Sequence, residues 1–204
     1  MSAHDSAELA AARPDFAAIA EWIPKGASVL DLGCGDGSLL RFLRDTREVR
    51  GYGVEISDAN IVACIKNGVN VIQGDLDSGL SGFETLSFDY VILSQTLQAT
   101  RHTEALVQEI LRVGRAGIVS FPNFGYWRNR LKILRGNMPV SRELPYQWYD
   151  TPNVHLCTVH DFEEFCSIQN VQIQNRRVMT GESEVKVLPN LFGSTAVYRF
   201  QRGT

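Results

Sequence analysis

Apolar and polar positions along this 204-residue chain follow two rhythms, and the switches between them predict its elements. In PDFAAIAEWI, helical spacing puts Phe16, Ile19, Ala20 and Ile23 on one face, and Pro14 suits a first helical turn. ASVLDLGC is a short apolar run of the kind a buried strand shows. Helical spacing returns in DGSLLRFLRD, with Leu39, Leu40 and Leu43 on one face. VRGYGVEIS reads as a second strand. Ser57 then stands where a residue caps the helix DANIVACIKNG, which stops at Asn67–Gly68. VNVIQGD, FDYVILSQ and AGIVSFPN read as the third to fifth strands. LDSGLSGFETLS links the third to the fourth, and the helix TEALVQEILRVG ends at Gly114 before the fifth.

Strands alternating with helices imply a mostly parallel α/β sheet covered on both faces. The tail departs from that pattern. YWRNRLKILRG predicts a helix, residues 136–157 have loop chemistry, and TVHDFEEFC predicts a capped helix. VQIQNRRVM and TAVYRFQRG predict two strands, an antiparallel pair because only a loop with Pro189 and Gly193 parts them. There is no internal repeat and no linker, so residues 1–204 read as one domain.

Composition narrows the classes. Hydrophobic content of 44% and charged content of 21% are ordinary for a soluble globular protein. A net charge of -3 argues against general nucleic-acid binding, which leans on a positive field. No apolar run approaches the roughly 18 residues a membrane helix needs. The opening MSAHDSAELAAARPDF lacks the layout of a signal peptide. Cys34, Cys64, Cys157 and Cys166 form no CxxC pair and read as reduced, small buried hydrophobes, which fits a cytoplasmic protein.

The chemistry gathers at VLDLGCGDGSLL. Glycines at 33, 35 and 37, between a buried strand and a helix, let the backbone turn tightly and approach a ligand, and the helix start offers free N–H groups. Glu55 ends the second strand, 18 residues past Gly37, where a carboxylate can accept both hydroxyls of a ribose; the alternative is a surface carboxylate. Two details choose the nucleotide. The dinucleotide fingerprint spaces its glycines G-x-G-x-x-G/A, but the last one here falls early, at Gly37, with Ser38 in the sixth position. Asp31, two places before the first glycine, suits a positively charged ligand and not a pyrophosphate. S-adenosylmethionine, with a sulfonium and an ammonium, fits that pocket better than NAD. Asp75, in QGDLD, is placed to touch the adenine edge.

In this order, LDLGCGDG, VEIS, GDL and FDYVILSQTL resemble the class I S-adenosylmethionine-dependent methyltransferases. The resemblance implies a doubly wound, seven-stranded, mostly parallel sheet with an antiparallel last strand. It also implies S-adenosylmethionine or S-adenosylhomocysteine as cofactor. Gly33, Gly35 and Gly37 would form the cofactor turn beside Asp31, and Glu55, next to Ile56, would take the ribose. Asp75 and Leu76 would border the adenine, and Ser94 or Gln95 would lie near the methionine end. Residues 13–115 would then be the cofactor half and 116–204 the substrate or partner half.

The second half holds Phe121, Phe124, Tyr126, Trp127, Tyr146, Trp148 and Tyr149 in a stretch leaving the carboxyl end of the fifth strand, where open parallel sheets place ligands. A loop as long as 136–157 is more often functional than accidental. FPNFGYWRNRL, MPVSRELPYQWYDTPNVHLCT and DFEEFC, with the glycine turn, closely resemble the bacterial MetW family of methionine biosynthesis. That resemblance implies a protein partner, homoserine O-acyltransferase, which members accompany and support. The other reading is a methyltransferase acting on a small polar acceptor. For it, His155 is the candidate base, with Tyr126, Tyr146 or Asp150 beside it; a loop histidine bonded to backbone is the alternative. The NPPY motif of many amine methylators is absent. No metal is expected at His155, Cys157 and His160, because Thr158 and Asp161 fit a helix start that turns His160 away. Arg128, Arg130, Lys132 and Arg135 make a basic run, either a solvated face or part of a docking surface.

Overall fold

The computed structural model describes residue 11 and residues 13–203. Residues 1–10, where the signal-peptide question falls, lie outside the described residues. The elements in chain order are α1 (Pro14–Trp22), β1 (Ser28–Leu32), α2 (Ser38–Arg47), β2 (Arg50–Glu55), α3 (Asp58–Lys66) and β3 (Asn70–Gln73). There follow β4 (Phe88–Ser94), α4 (Thr103–Val113), β5 (Gly114–Pro122), α5 (Trp127–Leu134) and α6 (Val159–Ile168). The chain closes with β6 (Val171–Thr180), β7 (Ser183–Glu184), α7 (Pro189–Phe192) and β8 (Thr195–Arg202).

The sheet runs β3-β2-β1-β4-β5-β8-β6-β7. Strands β1 to β5 pair in parallel, β8 lies antiparallel between β5 and β6, and β6 and β8 form the expected antiparallel pair. Apolar side chains fill both faces, as central parallel strands require. One core layer sets Val29, Ile92 and Ile118 against Phe16, Ile19 and Leu43 of α1 and α2. The other sets Leu30, Val91 and Phe121 against Ile110 of α4 and Phe162 of α6. The strand order reverses between β1 and β4, and open α/β sheets bind ligands at the carboxyl ends beside such a switch.

Three local readings change. The sheet has eight strands, not seven, because Thr180 and Met179 pair with β7 across a turn that Gly181 makes at φ 57. Pro189–Phe192, expected as loop, forms one helical turn with proline at its start. Ser57 occupies the cap position of α3 with extended backbone, but its side chain makes no capping bond, and Gly68 alone takes the left-handed stop, at φ 65. Residues 136–157 contain no helix or strand. Among the described residues, no helix is long and apolar enough to cross a membrane. All four cysteines are free, and Cys34, Cys64 and Cys166 are buried.

Candidate functional site

The turn after β1 is held by its neighbour strand. The N–H groups of Gly33 and Cys34 both donate to the Val54 carbonyl, at 2.8 and 3.1 Å. Gly33, Gly35 and Gly37 have φ of 68, 56 and 77°, a region side chains rarely adopt. A Cβ at Gly33 would also lie 2.6 Å from Thr96 Cγ2, so only glycine lets this turn meet the segment leaving β4. Glu55 is buried and accepts three backbone N–H bonds: from Gly35 to Oε2 at 2.8 Å, and from Ile56 and Ser57 to Oε1 at 3.0 and 2.9 Å. Each carboxylate oxygen has about two acceptor sites, so Glu55 pins the turn and keeps capacity for a ligand hydroxyl. Ile56 beside it is exposed. Asp75, also exposed, caps the 3-10 turn Leu76–Ser78 by accepting from Asp77 N–H at 2.9 Å, while Leu76 packs on the core.

A cavity of about 250 Å³ opens in front of this turn, lined among others by Arg13, Phe16, Asp31, Gly33, Gly35 and Ser94. Asp31 is 1% exposed and its Oδ1 has no hydrogen-bond partner. Burial pushes its carboxyl up to about 7; Arg13 offsets part of this, and the nearby Glu55 and Asp15 carboxylates add to it. Arg13 grips buried Asp15 through Nε and Nη2, at 2.9 and 2.8 Å, and Nη2 also donates to Ser94 Oγ at 2.9 Å. The Ser94 and Ser120 hydroxyls each donate to Asp15 Oδ2 at 3.0 Å, and the Arg13 guanidinium lies 4.4 Å from the centre of the Phe16 ring.

Past β4, Gln95 takes a left-handed φ of 55° and its N–H donates to the Ser120 carbonyl at 2.9 Å. This bend opens a second cavity of about 360 Å³, lined among others by Arg13, Gln95, Gln98, Glu143, Tyr146 and Asn153. His155 is not on its wall. The His155 ring is exposed in a different cleft with Arg101, Cys157 and Phe162, its Nε2 3.4 Å from the Arg101 carbonyl. The structure therefore separates Tyr146 from His155. Asp150 accepts from the Gln147 N–H at 2.8 Å, and Tyr126 is buried edge-on to Trp127.

A family model for the methionine biosynthesis protein MetW matches residues 13–200. The bifunctional methionine biosynthesis protein MetXA/MetW of Rhodopirellula baltica is 40% identical over 202 residues, covering 92% of this chain. The chain belongs to the MetW family. It spans about a third, 32%, of that relative's length. Among solved structures, the PH0226 protein of Pyrococcus horikoshii OT3 matches with a TM-score of 0.70 at 18% identity, over 98% of this chain and 92% of its own. The magnesium protoporphyrin IX methyltransferase of Synechocystis PCC 6803, solved with bound SAH, matches at 0.66 and 19% identity, over 95% and 84%. At these identities the likeness shows the fold, that of the class I methyltransferases.

In this MetW-family chain the start of α6 and part of the basic run are held by local bonds. Thr158 and Asp161 form a reciprocal capping box at the start of α6. Among the described residues, no three His, Cys, Asp or Glu side chains are arranged to hold a metal ion. Within the basic run, Arg130 donates to the Gly125 carbonyl at 2.6 Å and Lys132 to the Val140 carbonyl, while Arg128 lies against the Trp127 ring. Half of that run thus fastens its own backbone. The Arg13–Asp15 pair with Ser94 and Ser120 is the part of the site that sequence reasoning missed. Its one local trace is a carboxylate beside Phe16 near the buried face of a helix, a signal too weak to name partners about 80 and 105 residues away.

Proposed function

We propose that this chain is an S-adenosylmethionine-binding partner of homoserine O-acyltransferase, working in methionine biosynthesis in the cytoplasm. The observation that carries the partner reading is the MetXA/MetW relative, a bifunctional protein in which a region like this chain is covalently joined to another. Joining holds two modules at high effective concentration, which serves them only if they work together. The joined region is, on this reading, the homoserine acetyltransferase.

The cofactor reading rests on how the residues fit. Asp31 offers a buried acceptor with no donor of its own, and a cationic ligand would relieve that cost. Gly33, Gly35 and Gly37 would admit the ligand to the backbone. Glu55 would meet the ribose, with Ile56, Asp75 and Leu76 at the adenine end and Ser94, Gln95 and Arg13 at the amino-acid end. When bound, S-adenosylmethionine supplies a methyl group activated by its sulfonium. The test is calorimetric titration with S-adenosylhomocysteine, followed by sedimentation of the chain mixed with purified acyltransferase. One saturable site and a co-sedimenting complex are expected. An absent heat signal overturns the cofactor reading, and an absent complex overturns the partner reading.

One observation favours a second reading, methyl transfer to a small polar acceptor: the 360 Å³ cavity shares Arg13 with the cofactor cavity. Tyr146 would then act from its wall, and His155 would have to move to reach it. Conversion of S-adenosylmethionine to S-adenosylhomocysteine in the presence of an acceptor, reduced by Tyr146→Phe, is the result this reading requires.

A further inference from the structure

The second cavity carries unmatched groups of both signs. Glu143 is half-buried, and its two oxygens accept only from the Ser194 and Ser141 hydroxyls, at 3.0 and 3.2 Å; no basic group among the described residues pairs with it. The Gln98 amide nitrogen donates to the Gln95 carbonyl at 2.7 Å. A carbonyl can only accept, so the nitrogen must face it, and Gln98 Oε1 is left buried without a partner. Arg13 spends Nε and Nη2 on Asp15 and Ser94, and Nη1 has no acceptor among the described residues. A carboxylate with no cationic partner among the described residues, the Gln98 side chain and the guanidinium groups of Arg13 and Arg142 therefore line one cavity. Tyr146 and Met179 supply its apolar wall. At about 360 Å³ it sits at the small end of the range for small-molecule sites.

We propose that this cavity is a second ligand site, for a small free amino acid bound as its zwitterion. The ammonium of the ligand meets the Glu143 carboxylate, and its carboxylate meets Arg13 Nη1. A neutral molecule would leave the Glu143 charge uncompensated, and a simple anion would face it. A ligand with both charges answers the Glu143 carboxylate with one end and the guanidinium groups of Arg13 and Arg142, which also line the cavity, with the other. Because Arg13 also lines the cofactor cavity, the two sites share one guanidinium. This goes beyond the partner reading and does not depend on it.

Calorimetric titration of the full chain with each standard amino acid tests the proposal, with and without saturating S-adenosylhomocysteine. At least one amino acid is expected to bind saturably, and to keep binding when S-adenosylhomocysteine is present. The N-acetyl and the carboxamide derivatives of that amino acid are each expected to bind at least about tenfold more weakly, the loss of one charge-assisted contact. Glu143→Gln should weaken the free amino acid by a similar factor while the melting curve stays in place. The proposal fails if no amino acid binds, or if the N-acetyl form binds as well as the free one. It fails if S-adenosylhomocysteine abolishes binding, since the zwitterion would then occupy the cofactor's own amino-acid end. Should the variant not fold, the derivative series on the unaltered chain still decides.

Discussion

The glycine-rich turn and the 136–157 loop both border the cavities past the strand ends, yet they are held in opposite ways. In the turn, backbone donors are answered by the Val54 carbonyl and by the buried Glu55 carboxylate. Its shape follows from residues close in sequence to one another or on the adjacent strand. In the loop, Leu144 is the buried anchor and the N–H groups of Val154 and His155 tie to the Gln98 carbonyl, but the large rings stay outside. Trp148 and Tyr149 are 72% and 70% exposed and meet edge to face at 5.7 Å. Leu134, just before the loop, is 83% exposed. Apolar surface left unused by the fold is surface available to a partner, and aromatic side chains dominate interface hot spots. On the function proposed here, the cofactor goes to the turn pinned by Val54 and Glu55, and the partner to the loop that leaves its large rings exposed.

The largest expected effect breaks the first half of that comparison. Gly33→Ala places a Cβ against Thr96 on backbone at φ 68, so S-adenosylhomocysteine affinity should fall at least about a hundredfold, with a stability loss of about 1–3 kcal/mol. Calorimetry and a denaturant melt read both.

Asp31→Asn sharpens it. Cofactor affinity should fall at least about tenfold, while the ligand-free protein becomes more stable. The sign follows from the raised carboxyl: between 3.8 and about 7 the folded state holds a proton that the unfolded state has lost. Stability contributed by that proton is full below the unfolded value and is lost as pH rises through about 7, on the order of a few kcal/mol in all. Melting temperature of the ligand-free chain should decline across that window, and the Asn variant should flatten the decline.

The docking half is tested by Trp148→Ala with Tyr149→Ala. Association with the acyltransferase should weaken at least about tenfold, while stability stays within about 0.5 kcal/mol and cofactor affinity is unchanged. The smallest effect is a control: Thr158→Ala removes the cap of α6 and should cost about 1 kcal/mol, with neither binding event altered.

What was legible in the sequence was what short stretches decide. The five parallel strands, the glycine turn and the Thr158 cap each depend on residues near one another or on periodicity. The separation of Tyr146 from His155 was not legible, because the eight residues of irregular loop between them carry no period that says which way each side chain faces. The Arg13–Asp15–Ser94–Ser120 cluster was not legible either, since three chain segments must meet before its bonds exist. The extra strand Ser183–Glu184 rests on two residues beside Gly181, too short for an alternating pattern.

The most direct measurement is homoserine O-acyltransferase activity of the purified enzyme, titrated with this chain with and without S-adenosylmethionine. A saturable rise in rate is predicted, lost with the Trp148 and Tyr149 alanines, and a dependence on S-adenosylmethionine lost with Asp31→Asn. A rate unchanged at every ratio of the two proteins would contradict the account.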